Sequence, residues 1–219
     1  MTDSAPRHVG LIPDGARRWS RQNNTDLLNA YNVTMEGLVK FVDQAFLFGV
    51  EALSIFLLSM DNLDRHQDEI DPVTVTEERL LKERLVPIIK SHKARVVHAG
   101  RKNALPPGYA SAMSSLCSAS ESHSNKRLYL LAAYDPVDEL RDIIFSPPSG
   151  SGILEKLWVP EQVDLVIRTG GESRLSGFLP IQSIYAELVF LPELFNDITP
   201  DRLIDPIRSF DFKRRRFGR

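Results

Sequence analysis

The chain has 219 residues, 42% hydrophobic and 26% charged, which suits one folded domain over 1–219 and excludes a disordered chain. Its formal net charge of -2 argues against a protein built mainly to coat nucleic acid. Cys117 is the sole cysteine, no long uncharged apolar stretch spans a bilayer and "MTDSAPRHVG" lacks the apolar centre of a signal peptide, so a reducing, cytoplasmic setting without membrane insertion is expected.

In chain order, the first element is the apolar run "HVGLI", read as a buried strand, followed by "PDGARRWS", in which Pro13 and Gly15 make a turn into a helix. The spacing predicts a helix from about Leu27 to Phe48, with Gly49 at its C-cap. "ALSIFLLS" is a second strand, followed by "SMDNLDR". A helix over roughly Thr74 to Lys90 would place Glu77, Glu78, Lys82 and Arg84 on its wet side. Then come the strand "ARVVHAG", a helix from about Tyr109 to Ser122 and the strand "RLYLLAAY". "FSPPSGSG", Phe145 to Gly152, reads as a surface loop, and "DLVIR" and "AELVF" complete the strands. Near-continuous apolar strands alternating with helices indicate an α/β fold, a single domain with a mostly parallel central sheet flanked by helices.

In such a sheet, ligands gather at the carboxyl ends of the strands. Three of those ends bring together Asp14, Gly15, Arg17 and Arg18; Ser59, Asn62 and Arg65; and Arg168, Arg174 and Ser176. Each residue alone has an ordinary structural role as a solvated turn arginine or a helix cap. Converging arginines beside a glycine turn suit a diphosphate, since each guanidinium offers a rigid fork of donors. A lone carboxylate among them suits Mg2+, which binds through one or two carboxylates plus substrate phosphates. The histidines His8, His66, His92, His98 and His123 lack metal-ligand spacing. The terminal "FKRRRFGR" could bind nucleic acid backbones, but the negative net charge favours another use.

The stretches "HVGLIPDGARRW", "LSMDNLDR", "VDLVIRTGGESRLSGFLPIQSIYAELVFLPELFNDIT" and "RRRFG" resemble, in this order and over nearly the whole chain, the cis-prenyltransferase family of the undecaprenyl diphosphate synthase type. The resemblance implies a homodimer with an apolar tunnel beside the sheet and Mg2+-dependent joining of isoprenyl diphosphates, with no nucleic-acid partner. It makes Asp14 the catalytic, metal-binding aspartate and places Gly15, Arg17, Arg18 and Trp19 in the opening substrate-binding motif, with Arg18 on the allylic diphosphate. Arg168, Arg174 and Ser176 match the group holding the second diphosphate, and Ser59, Asn62 and Arg65 match the polar cluster at the reacting carbons. Glu187 matches a glutamate that assists metal binding across the dimer. Arg215, Arg216, Phe217 and Gly218 match the segment that reaches the partner's site.

Several positions depart from the family pattern. Ala16 stands where the family has an asparagine and can neither donate nor accept a side-chain hydrogen bond. Leu27 and Tyr31 replace an arginine and a histidine, Leu63 a tryptophan, and Asp135 and Pro136 glycines. The diphosphate machinery is kept while the carbon chemistry is expected to change, because decay into a non-catalytic subunit should not spare Asp14, Arg18, Arg168, Arg174, Ser176 and Glu187 together. The chain is most similar to the branch making irregular, lavandulyl-type diphosphates, in which an allylic diphosphate such as dimethylallyl diphosphate is also the nucleophile. A regular short-chain synthase is the alternative. Leu57 lies where long-chain synthases have alanine, so products of two or three isoprene units are expected.

Overall fold

All six apolar runs form strands in the computed structural model, which describes residues 5–145 and 152–210. They are β1 (His8–Ile12), β2 (Ala52–Ser59), β3 (Ala94–Ala99), β4 (Lys126–Tyr134), β5 (Leu165–Arg168) and β6 (Glu187–Phe190). They pair in parallel in the order β3-β4-β2-β1-β5-β6. The connection from β1 runs to β2 on one side, and that from β5 runs to β6 on the other. The carboxyl ends of β1 and β5 therefore flank the crevice where an open parallel sheet receives ligands.

Nine α-helices lie among the described residues: α1 (Ala16–Gln22), α2 (Leu27–Leu47), α3 (Met60–Leu63), α4 (Gln67–Arg79), α5 (Leu85–His92), α6 (Pro107–Ala119), α7 (Pro136–Ile144), α8 (Ile153–Lys156) and α9 (Pro200–Arg208). The helix expected over Thr74 to Lys90 begins earlier and is interrupted, because a π-helical turn at Leu80–Arg84 separates α4 from α5. Pro87 follows directly and offers no N–H to the carbonyl of Glu83, which favours irregular winding there. Glu77 is not on a wet face: it is 1% exposed, turned inward where α4 meets α6. The helices α7 and α9, absent from the sequence reading, carry ordinary start signals, with Asp135 and Thr199 as N-caps and proline in the first turn. Most of the expected loop at Phe145 to Gly152 lies outside the described residues, as does all of "FKRRRFGR".

The core divides across the sheet. One face packs Val9, Leu11, Leu53 and Ile167 against Leu38, Phe41 and Val42 of α2 and against α4 to α6. The other packs Ile12, Tyr129, Leu131 and Val166 against Val159, Val163 and Phe178. Gly10 makes this second face possible, because a Cβ there would sit 2.5 Å from the Phe178 ring. β6 is an edge strand with Glu187 and Leu188 exposed, unlike the strands buried on both faces.

A buried polar knot fixes the start of β1. Asp164 Oδ2 accepts from the backbone N–H groups of Arg7 (2.9 Å) and His8 (3.0 Å). His8 Nδ1 lies 3.0 Å from the Gln162 carbonyl, which can only accept, so Nδ1 carries the proton and Nε2 accepts from the Ser54 hydroxyl at 2.8 Å. Burial lowers His8 to about 4, the nearby Glu161 opposing it. Between pH ~6.5 and the folded value the unfolded chain binds a proton that the folded chain refuses, so stability falls as pH falls through this window. Chemical denaturation across the window should show wild type losing about 3 kcal/mol more than His8→Asn; parallel losses would remove His8 as the cause.

Candidate active site

The turn after β1 and the turn after β5 are built as one unit. Thr169 Oγ1 accepts from the Asp14 N–H (3.0 Å) and donates to the Asp14 carbonyl (2.9 Å), while the same carbonyl accepts from the Phe195 N–H at 3.1 Å. Gly15 caps α1 with φ +132, a conformation other residues adopt at a cost. Gly170, at φ +88, leaves space that a Cβ would fill 2.5 Å from Arg18 Nη2. Ser176 and Leu179 also take left-handed backbone, at φ 49 and 38, and fold the segment after β5 back over the strand ends.

Arg168 is the centre of the site. Its guanidinium is 5% exposed and donates through Nη2 to Asp14 Oδ2 at 2.9 Å and through Nη1 to Ser176 Oγ at 2.8 Å and to the Arg174 carbonyl. Arg168 Nε is buried without a protein partner among the described residues, a donor left over for a ligand. Arg18 approaches the other oxygen of Asp14 at 3.2 Å through Nη2 and donates to the Gly170 carbonyl at 2.6 Å through Nη1. Arg17 pairs with Glu69 at 2.7 Å, and Arg174, 62% exposed, pairs with Glu172 at 2.6 Å. From β2, Ser59 caps α3 by accepting from the Asn62 N–H at 3.3 Å. Burial lowers the half-buried Arg65 from its ordinary value, the nearby positive charge of Arg17 adding to this and Tyr31, Glu69 and Asp14 opposing it.

These groups line the mouth of a cavity of about 500 Å³. Its lining includes six arginines (Arg17, Arg18, Arg21, Arg65, Arg168 and Arg174), and its inner wall is apolar, with Met35 and Leu38 of α2, Phe56, Leu57 and Leu58 of β2, and Val73 of α4. Of the site residues read from the sequence, Asp14, Gly15, Arg17, Arg18, Ser59, Asn62, Arg65, Arg168, Arg174 and Ser176 all line it. Trp19 does not; its indole N–H donates to Asp197 at 2.6 Å on the far side of α1. Glu187 does not either, because it stands at the amino end of β6, three positions before Phe190, the residue paired with Arg168. One subunit therefore cannot bring Glu187 and Asp14 together. The sequence reading missed Thr169, Glu172 and Glu77, of which Glu172 was legible beside two arginines and Glu77 was hidden by its charge.

The match to known proteins covers the whole arrangement. The prenyltransferase family model described as undecaprenyl diphosphate synthase matches residues 12–218. The chain belongs to the cis-prenyltransferase family. It is 31% identical to the tritrans,polycis-undecaprenyl-diphosphate synthase (geranylgeranyl-diphosphate specific) of Pyrobaculum aerophilum, over 98% of this chain and 96% of that one. It is 30% identical to an isoprenyl transferase of Chlamydia caviae, over 99% and 94%. The structure of lavandulyl diphosphate synthase from Lavandula x intermedia, in complex with dimethylallyl diphosphate, superposes with a TM-score of 0.88 at 26% identity, covering 98% and 99% of the two chains. The protein is a prenyl diphosphate synthase.

Within this cis-prenyltransferase the departures from the family pattern find places. Ala16 is buried at the head of α1 in the cavity wall, and Tyr31, 8% exposed, lines the cavity from α2. Leu27 and Leu63 pack at the edge of the core. Asp135 and Pro136 start α7, Asp135 accepting from the Val137 and Asp138 N–H groups, so they serve the fold. Arg168→Lys keeps the charge and loses the fork, leaving Ser176 or Asp14 short of a donor. Steady-state kinetics with saturating co-substrate should show kcat/KM lowered about 100-fold, with about 2 kcal/mol less stability in urea; wild-type kinetics would confine Arg168 to bracing the fold.

Proposed function

We propose that this prenyl diphosphate synthase is of the irregular kind, joining dimethylallyl diphosphate head to middle with a second allylic diphosphate, dimethylallyl or geranyl, into a branched lavandulyl-type product. The observation that carries the reading is Ala16: an otherwise furnished diphosphate site has a methyl group where the family's relaying amide would stand. The likeness to lavandulyl diphosphate synthase supports it, whereas the relatives named as undecaprenyl synthases stand for the regular alternative.

The chain's residues divide the work. Ionising one allylic diphosphate breaks its C–O bond and sends the electron pair to the departing phosphates, so Arg18, with Arg65 beside the reacting carbons, stabilises the leaving group where negative charge grows. Arg168, Arg174 and Ser176 orient the second diphosphate so that its internal alkene carbon attacks the cation and forms the new C–C bond; the cation this leaves gives a proton to the released diphosphate, which restores a double bond. The apolar wall of Met35, Leu38 and Leu57 keeps water from the cation. Asp14, held between Arg18 and Arg168, offers the one carboxylate that, with substrate phosphates and water, makes a donor set Mg2+ uses. Mg2+ held by Asp14 would neutralise the leaving diphosphate.

Ile184, Tyr185 and Leu188 are exposed apolar side chains beside the edge strand β6, the surface expected to meet a second copy. Glu187 lies within it and, in a homodimer, would turn toward the partner's site. Leu188→Glu should convert a sedimenting dimer to monomer; an unchanged dimer would move the interface elsewhere.

The deciding experiment incubates the protein with Mg2+ and dimethylallyl diphosphate, with and without geranyl or isopentenyl diphosphate, and identifies the dephosphorylated alcohols. Branched alcohol from allylic substrates alone is expected, and Asp14→Ala should lower turnover at least ~1,000-fold without loss of fold. A linear cis product requiring isopentenyl diphosphate would establish the regular course. No product from any mixture, with diphosphates still bound, would mark a non-catalytic subunit.

A further inference from the structure

We propose that Glu77, hydrogen-bonded to the buried Tyr109, forms the inner end of the prenyl cavity and sets the longest chain the enzyme accepts, through its polarity. On α2 the cavity lining runs Tyr31, Thr34, Met35, Leu38, one face over two turns, and on α4 it runs Val73, Glu77. α4 starts at Gln67, two residues past Arg65 at the mouth, so Glu77 lies about 15 Å along that helix from the charged end. There the Tyr109 hydroxyl donates to Glu77 Oε2 at 2.7 Å, both residues being at most 1% exposed. Burial pushes the carboxyl up to about 8, with the Tyr109 hydrogen bond opposing it, so near neutral pH the acid keeps its proton.

Beyond the pair there is more apolar space. Leu81, one turn past Glu77, and Ala112, one turn past Tyr109, line a second cavity of about 260 Å³ with Val86, Ile89 and Leu116. The π-helical turn begins at Leu80, where the helix wall passes from one cavity to the other. A hydrocarbon tail that ends before Glu77 meets Met35, Leu38, Leu57 and Val73, and a Thr34 hydroxyl already bonded to the Ala30 carbonyl and Asn196. A longer tail must press methylenes against the Glu77 acid, which gains no partner in exchange, a cost an apolar wall would not impose. Glu77 thus determines specificity for the reaction already assigned, and the inference rests on prenyl diphosphate synthesis and not on its branched course.

The test compares dimethylallyl, geranyl, farnesyl and geranylgeranyl diphosphates, read as relative kcat/KM and, independently of turnover, as affinity by calorimetry. Wild type should show a drop of about 10-fold or more at one step of this series. Glu77→Leu with Tyr109→Phe keeps the volume, removes both polar groups and should abolish the drop; Glu77→Gln keeps the polarity and should preserve it. If the double variant fails to melt cooperatively, Glu77→Met is read in its place. A drop retained in the apolar variant, a drop equally lost in Glu77→Gln, or no drop in wild type overturns the proposal. A linear product with the length limit still governed by position 77 would instead overturn the branched course alone.

Discussion

The structure turns on one buried charge. Arg168 ends β5 opposite Ile12 of β1, with its guanidinium removed from water and compensated by Asp14, Ser176 and the Arg174 carbonyl. Taking that cation out of water costs several kcal/mol unless its donors are matched, so the surrounding backbone is committed to matching them. The left-handed turns at Gly170, Ser176 and Leu179 and the reciprocal bonds of Thr169 with Asp14 are the forms that commitment takes. A fixed, desolvated guanidinium has no reorganisation left to do when an anion arrives, which is the condition under which electrostatic stabilisation is strongest.

The cavity joins two solvents. At its mouth, arginines are paired with carboxylates such as Glu69 and Glu172, which keep like charges tolerable. A few turns inward the wall is mainly apolar, with Met35, Leu38, Leu57 and Val73, and its acid Glu77 is hydrogen-bonded to a buried tyrosine. A prenyl diphosphate has the same division, a charged head and an apolar tail, so the binding mode is dictated by where each half is soluble.

Strands were legible because burial on both faces leaves continuous apolar runs, and "HVGLI" and "ALSIFLLS" coincide with β1 and β2 residue for residue. The charged cluster was legible because its members follow strand ends. α7 is harder to read although Asp135 and Pro136 spell out its start, because against the family pattern they stand out as replaced glycines before they stand out as a cap. Glu77 defied the sequence for a deeper reason: a glutamate's place on a helix wheel reads as wet, and only Tyr109, 32 residues away, makes its burial tolerable. Trp19 sat within a substrate motif, yet the far face of α1 and Asp197 claim it.

The strand order has a consequence for how the chain comes to be active. Asp14 and Arg168 are separated by 154 positions, and β1 completes its pairing with β5. During synthesis at ~5–20 residues per second, the first half of the charged pocket waits roughly 8–30 seconds for the second. Until then β1 is a bare apolar edge beside a finished β2, open to any strand that passes. The pocket is thus among the last features to mature, and a growing chain must be shielded at its first strand long before it can bind a substrate.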